Sequence, residues 1–184
     1  MLKGKCFLVR FADDSVLGFE HKEDAERVYK VIFKRFAKYG LMLHPDKTKL
    51  IEFKRRKNGN TFDFLGFTFY WGVSRKGNLV LKHKTSSKGF TKAVNKFTAW
   101  MKVNRHTKIK VLFAQINVKL RGHYEYFGIT FNSRRIYSFY MTVKRVLFKW
   151  LNRRGGKNHN WVYFTQMVDN WLPLIKPKIY HSYW

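Results

Sequence analysis

Two adjacent carboxylates, Asp13 and Asp14, are the side chains in this sequence best suited to chemistry. They stand between two apolar, alternating runs at 6–12 and 15–19, which predicts a tight turn between paired, buried strands. Two like charges held together cost free energy unless a cation neutralises them. Mg²⁺ accepts one or two carboxylates and completes its shell with water and phosphate, so the pair predicts a magnesium site. Asp is also common in plain hairpin turns, and that alternative stays open.

The charge of the chain points to a polyanionic partner. The 184 residues hold 38 Lys+Arg against 11 Asp+Glu, a net charge of +27. Residues 1–63 carry a balance of +6, whereas residues 64–184 carry +21 with only Glu125 and Asp169 as acids. Aromatic residues, 18% of the chain, are interleaved with the basic ones. This mixture favours nucleic acid, with phosphates meeting Lys and Arg and bases stacking on rings, although most rings belong to a core.

Other classes of protein are excluded by composition. The single cysteine, Cys6, rules out an intrachain disulfide and a multi-cysteine zinc site. The longest nearly unbroken apolar stretch, 64–73, is half of the ~20 residues that a membrane-spanning helix needs. We therefore expect no membrane partner and a soluble protein of the cytoplasm.

Hydrophobic periodicity predicts an α+β fold in two parts, residues 1–83 and 84–184. The first part carries antiparallel strands and one amphipathic helix at 22–39. Besides the strands that flank the aspartates, the pattern predicts strands at 48–53, 61–71 and 79–82, and a basic hairpin at 54–60. The second part reads as a helical bundle. Its four helices are predicted to open at Ser86 or Ser87, at Thr107, at Asn132 or Ser133, and at Asn160.

Five sequence blocks resemble those of group II intron reverse transcriptase/maturases and follow in the order of that family. Residues 7–14, Phe-Leu-Val-Arg-Phe-Ala-Asp-Asp, are similar to its aromatic-x-Asp-Asp block. Residues 40–49 and 62–67 resemble the two following palm blocks, the second being the primer-grip hairpin. Residues 117–127 resemble the maturase, or thumb, signature, except that His123 stands where Trp is usual. Residues 150–154 resemble a stretch late in that domain.

The resemblance implies a fold, an activity and partners. The fold would be a partial palm at 1–83, with antiparallel strands and one helix, followed by an all-helical thumb/maturase domain at 84–184. The activity would be RNA-directed DNA polymerisation (nucleotidyl transfer) with Mg²⁺, together with assistance to intron splicing and target-primed cDNA synthesis. The partners would be group II intron RNA, a DNA primer or target and deoxynucleoside triphosphates, in a bacterial ribonucleoprotein.

The resemblance also assigns roles to individual residues. Asp13 and Asp14 would bind the metal, and Lys47 would protonate or neutralise the leaving pyrophosphate, although a solvated loop lysine explains it equally well. The primer grip would comprise Phe64, Leu65, Gly66 and Phe67. The RNA-binding residues would be Arg121, Gly122, Tyr126, Arg153 and Arg154. A glycine inside a helix is unfavourable, so Gly122 predicts close packing against a helix or against RNA.

Two departures from the family pattern shape the expectations. Phe11 replaces the usual Tyr, which keeps the ring and loses a hydroxyl. The family's third metal-binding aspartate and its fingers precede the region covered here, and Asp63 fits a hairpin edge better than a metal site. We therefore expect this chain alone to be inactive as a polymerase, as the C-terminal portion of a longer enzyme. The alternatives are a truncated RNA-binding module and a gene remnant without a selected function.

Overall fold

The computed structural model describes residues 2–154 and 158–183. The fold is α+β, as the sequence predicts, with two antiparallel sheets and five helices among the described residues. The strands are β1 Cys6–Phe11, β2 Asp14–Phe19, β3 Phe62–Phe64, β4 Phe67–Val73 and β5 Leu79–Thr85. The helices are α1 Lys22–Ala37, α2 Ser87–Asn104, α3 Ile109–Phe127, α4 Ser133–Asn152 and α5 Trp161–Asn170.

The strands form two separate sheets. β1 and β2 make a two-stranded hairpin, and the order of the other sheet is β3-β4-β5. The chain divides into two compact units, one of residues Met1–Leu65 and Phe69–Leu81, the other of Gly66–Thr68 and Lys82–Trp184. The second unit contains α2 to α5. Among the described helices, none is long and apolar enough to cross a membrane.

Helix α1 follows the expected pattern of charges. Glu23 and Asp24 lie in its first turn and Lys34 and Arg35 in its last, and both placements favour the helix macrodipole. The helix ends at Ala37, two residues before the predicted end. Asp24 is buried and accepts hydrogen bonds from the backbone N–H groups of Lys3 and Gly4, at 2.8 and 3.0 Å. The carboxylate thereby ties the segment that precedes β1 to α1.

The helical unit contains a dense core. Helix α4 packs against both α2 and α3. Ser86 caps α2 by accepting from the Gly89 N–H at 3.1 Å, and Asn160 caps α5 by accepting from the Tyr163 N–H at 2.8 Å. The fully buried side chains of the helices include Met101, Leu112, Ile116, Leu120, Tyr124, Ile136, Val143, Leu147 and Val168.

Two asparagines, the buried Asn132 and the partly exposed Asn117, fasten loops to the helices of this unit. Asn132 precedes α4, but its side chain does not cap the helix. Instead it accepts from the Thr85 N–H at 2.8 Å and donates to Thr85 Oγ1 and Phe127 O. Asn117 on α3 donates to Pro173 O and accepts from the Ile175 N–H, both at 2.9 Å, so it holds the C-terminal segment.

Several predicted elements are wrong in extent or type. Residues 48–53 are irregular rather than a strand, since no strand among the described residues pairs with them, and Glu52 O accepts from the Asn60 side chain instead. The basic segment 54–60 makes a turn but no hairpin, since no strand precedes it. The predicted strand 61–71 is two strands, because Leu65 and Gly66 both take positive φ and form a turn. Helix α3 begins at Ile109 rather than Thr107.

Candidate functional site

The aspartate pair lies at the tip of the β1–β2 hairpin. The register pairs Phe11 with Asp14, which leaves Ala12 and Asp13 as a two-residue turn. The sequence predicts a turn over residues 12–15, and the pairing of Phe11 with Asp14 confines it to Ala12 and Asp13. Ala12 has a φ of 52°, the positive value that the first position of such a turn requires. The Arg10 Nε donates to Ala12 O at 2.8 Å and supports the turn.

The hairpin exposes both carboxylates and most of its apolar side chains. Asp13 and Asp14 are exposed, and every residue of β1 is exposed, so the prediction of buried strands is wrong for β1. Phe7 and Phe11 are 61% and 63% exposed. The apolar side chains of β1 alternate as in a buried strand, but in the described part of the chain no second layer packs on them. The aspartates are therefore accessible to water, to a cation and to a large ligand.

The donor set at this turn is compatible with Mg²⁺. Two carboxylates are as many as this cation commonly takes from protein, with water and phosphate oxygens completing its octahedron. Within the described part of the chain, no three or more His, Cys, Asp or Glu side chains converge to hold a metal. Asp63, on β3, therefore does not complete a third carboxylate position.

Lys47 lies in a turn after α1. Its backbone N–H donates to His44 O at 3.1 Å, and Tyr29 on α1 donates its hydroxyl to Thr48 O at 3.3 Å. The Lys47 side chain is exposed, and among the described residues no ion pair joins it to Asp13 or Asp14. The structure thus holds the loop against α1 but does not bring the lysine into contact with the carboxylates.

The predicted primer-grip residues form a tight hairpin. Phe64 ends β3, Phe67 begins β4, and Leu65 and Gly66 turn between them with φ of 49° and 77°. Positive φ at both central positions is the signature of a two-residue hairpin turn. Gly66 inside an apolar run is the sequence signal for this turn that the prediction of one strand at 61–71 missed.

Part of this hairpin belongs to the helical unit. Gly66 O accepts from the Ser86 N–H at 2.9 Å. Phe67 is buried, and its ring centroid lies 5.9 Å from that of Tyr126 and 5.2 Å from that of Phe127. The structure therefore brings two predicted primer-grip residues together with Tyr126, one of the predicted RNA-binding residues.

Arg121, Gly122 and Tyr126 share the outer face of α3. All three are exposed, Tyr126 by 54%. A Cβ added to Gly122 would meet open space, so the expected packing of this glycine against another helix of the chain is wrong. The other expectation, that Gly122 contacts RNA, stays a prediction.

His123 turns inward at the position where the similar family carries Trp. Its ring stacks on Phe139 at a centroid distance of 3.7 Å and lies 4.8 Å from Phe127. Burial lowers the pKa of His123 to about 4. The imidazole is thus neutral at physiological pH and packs as an aromatic ring against Phe139 and Phe127.

Arg153 and Arg154 lie at the other end of the helical unit. Arg153 follows the last residue of α4, and its guanidinium lies 5.4 Å from the ring centroid of Trp150. Arg154 Nη2 donates to Thr107 O at 2.6 Å, just before α3 begins. Arg121 lies about 20 Å further along α3 at 1.5 Å per residue. The predicted RNA-binding residues therefore form two separate groups.

One functional candidate was missed by sequence reasoning. Arg105 follows α2, and its guanidinium also lies over Trp150, at 5.3 Å from the ring centroid. Trp150 and Arg153 are three residues apart, but Arg105 precedes Trp150 by 45 residues, so no local motif in the sequence could join Arg105 to them.

The first part of the chain matches a known protein family. Residues 1–69 match the family model described as reverse transcriptase (RNA-dependent DNA polymerase). The match contains the aspartate turn, α1, Lys47 and the tip of the β3–β4 hairpin. It supports a reverse-transcriptase-like first region, whereas residues 70–184 lie outside it. No curated protein matches the chain.

Proposed function

We propose that this chain is the palm-end and thumb portion of a group II intron-type RNA-directed DNA polymerase and maturase. The observation that carries the proposal is the exposed Asp13–Asp14 pair at a hairpin tip, inside the region that matches the reverse transcriptase model. The basic second unit supports the same function, because a polymerase that copies RNA must hold a long polyanion. The enzyme would act in the cytoplasm on intron RNA, a DNA primer and deoxynucleoside triphosphates.

The aspartates would hold Mg²⁺ in this reaction. Bound Mg²⁺ supplies charge stabilisation for the attacking and leaving oxygens of nucleotidyl transfer. Asp13 and Asp14 contribute anionic oxygens at an exposed tip where a primer end and a triphosphate have room to approach. Lys47 is the candidate cation for the leaving pyrophosphate, on a loop anchored to α1 through Tyr29 and Thr48.

The β3–β4 hairpin and the outer face of α3 would position nucleic acid. Gly66 gives the turn its backbone conformation, and Phe67 packs on Tyr126 and Phe127. Arg121 offers a cation to phosphates, Gly122 leaves room for close backbone approach, and Tyr126 presents an exposed ring suited to stacking. These contacts bind and orient a strand without reading its sequence.

Localised cleavage of a bound primer tests the metal and primer assignments together. The full chain is bound to an RNA template annealed to an end-labelled DNA primer, and Fe²⁺ with ascorbate replaces Mg²⁺. Hydroxyl radicals should cut the primer near its 3′ end, and Asp13→Asn should abolish the focused cutting. Glu52→Gln, a change of an exposed carboxylate elsewhere in the first unit, is the matched control and should preserve it.

A second candidate function is an RNA-binding module without polymerisation. The +21 balance of residues 64–184 favours it independently of the aspartates. Under this alternative the duplex binds with steep salt dependence, but the cutting is uniform or identical in Asp13→Asn. Uniform cutting with retained binding would therefore overturn the polymerase proposal in favour of the module.

A further inference from the structure

Two arginines from the ends of different helices lie over one tryptophan in the helical unit, and a third arginine follows one of them in the chain. Arg105 directly follows α2, and Arg153 and Arg154 directly follow α4. The guanidinium carbons of Arg105 and Arg153 lie 5.3 and 5.4 Å from the centroid of the Trp150 ring. Arg154 reaches the loop between α2 and α3 through its 2.6 Å hydrogen bond to Thr107 O.

This cluster holds positive charge without a carboxylate partner. None of the three arginines forms an ion pair within the described part of the chain. Arg105 Nε donates to the neutral acceptor His106 Nε2 at 2.9 Å. The two guanidiniums over the Trp150 ring repel one another, and a bound anion would relieve the repulsion.

The tryptophan fixes how the arginines are presented. Trp150 is 8% exposed, so its ring is a rigid support built into the core. An arginine that rests on an aromatic ring has a defined plane and loses less conformational entropy when it binds a ligand. A guanidinium carries five N–H donors, and the hydrogen bonds described use one each from Arg105 and Arg154. The remaining donors form planar forks that match phosphate.

We infer that Arg105, Arg153 and Arg154 form a clamp for adjacent phosphates of an RNA backbone, with Trp150 as its support. The inference rests on the proposed RNA binding and adds a specific second contact, about 20 Å along α3 from Arg121. An acidic protein segment offers carboxylates to the same forks. RNA is favoured because the whole second unit is basic and a long polyanion contacts many of its charges at once.

The test measures binding of a short structured RNA to the full chain at several salt concentrations. Arg105→Gln should lower the affinity about tenfold, as expected for a lost hydrogen bond between charged groups. It should also reduce the slope of log K against log salt by about 0.7–0.9. Arg145→Gln is the matched control, because Arg145 is exposed on α4 and outside the cluster. We expect it to change the affinity less than about threefold.

Two further variants test the geometry of the clamp. Arg105→Lys keeps the charge but lacks the planar fork, so it should restore only part of the affinity. If the two residues act together, their effects on RNA affinity are not independent. In the double variant Arg105→Gln/Arg153→Gln, the affinity should therefore fall by a factor at least about threefold smaller than the product of the two single-variant factors. Full restoration by lysine, or independent effects of the two arginines, would overturn the clamp.

The remaining outcomes separate the clamp from the function on which it rests. If Arg105→Gln lowers the melting temperature but binds RNA like Arg145→Gln, the arginines serve only the helix ends and the clamp is wrong. If poly(glutamate) competes as well as RNA, the assignment to phosphate is overturned. If the unmodified chain binds no RNA at any salt concentration, the proposed RNA binding fails, and the clamp fails with it.

Discussion

The two compact units bury their apolar side chains to very different extents. In the first unit, Asp24 is the one buried residue among those described, and strand β1 exposes Leu8 by 61% and Phe11 by 63%. In the second unit, Leu112, Ile116 and Leu147 are completely buried. Both units have apolar sequences with clear periodicity, so the difference lies in whether a second layer of side chains covers the apolar face.

This contrast bears on how each candidate site is positioned. The helices of the second unit place Arg121, Tyr126 and Arg153 through a shared core. The aspartate turn is placed by local contacts, namely the β1–β2 ladder, the Arg10–Ala12 hydrogen bond and the anchoring of Lys3 and Gly4 by Asp24. A two-stranded hairpin is only marginally stable by itself. We therefore expect changes in the two units to have unequal effects.

The largest expected difference comes from matched leucine truncations. Leu112→Ala should lower the free energy of unfolding by about 2–5 kcal/mol, because it creates a cavity in the helical core. Leu8→Ala, on exposed β1, should change it by less than about 0.5 kcal/mol. Urea unfolding monitored by circular dichroism measures both. Equal losses would mean that β1 packs against a core as firm as that of α3.

The next largest loss of unfolding free energy is expected for a substitution of Asn132, the buried asparagine that precedes α4. Asn132→Ala leaves the buried Thr85 N–H without its acceptor, which should cost about 1–3 kcal/mol. The same unfolding measurement applies, with Asn95→Ala on the exposed face of α2 as the control, and there we expect no loss. If both substitutions are neutral, the buried hydrogen bonds of Asn132 do not fasten β5 to the helical unit.

The pH dependence of the helical unit depends on His123. Because burial lowers its pKa to about 4, the unfolded chain binds the proton more readily than the folded one. Stability is therefore complete above about pH 6.5 and falls as the pH drops towards 4. Between about pH 7 and about pH 5 the expected loss is roughly 1–2 kcal/mol.

His123→Phe keeps a ring on Phe139 but cannot be protonated. The variant should therefore not show the part of the stability loss at low pH that His123 causes. Burial also lowers the pKa of His83, so some pH dependence should remain in the variant. Unfolding free energies of the two proteins at both pH values give the comparison. An identical pH dependence would contradict the burial of His123.

The smallest effects on stability should come from alanine-to-glycine substitutions. Such a substitution should stabilise the hairpin of the first unit and destabilise a helix of the second. Ala12 has positive φ, which glycine adopts freely, so Ala12→Gly should slow amide exchange in the β1–β2 hairpin slightly. Ala99→Gly, on the exposed face of α2, should destabilise the helix by about 0.5–1 kcal/mol. Hydrogen exchange followed by mass spectrometry resolves both segments. Faster hairpin exchange in Ala12→Gly would show that the turn does not hold Ala12 in its positive-φ conformation.

The sequence predicts the helices better than the strands. Apolar residues recur every three or four positions along α2 to α5, and this spacing marks the faces that are buried within the helical unit. Ser86 and Asn160 directly precede such stretches, so they are recognisable as caps from the local pattern alone. Strand formation depends on a hydrogen-bonded neighbour, which alternation cannot reveal. Residues 48–53 have strand-like composition but lack a neighbouring ladder, and the Leu65–Gly66 turn interrupts what looks like one strand.

The candidate sites were predictable where they are local in sequence. Asp13 and Asp14 are adjacent, and their turn follows from the two flanking alternating runs. Gly122 was recognised as unusual, but only the structure shows that its surroundings within the chain are open. The Arg105–Trp150–Arg153 cluster requires the ends of α2 and α4 to meet, and that depends on tertiary packing.

We propose that the aspartate turn binds a metal and the basic second unit binds nucleic acid, as separable parts of one protein. The most direct test measures two affinities of the double variant Asp13→Asn/Asp14→Asn, one for Mn²⁺ as a spectroscopic substitute for Mg²⁺ and one for structured RNA. We predict that Mn²⁺ binding at the turn is lost, whereas RNA affinity is unchanged or slightly tighter because two negative charges are gone. Unchanged Mn²⁺ binding, or a large loss of RNA affinity, would contradict the account.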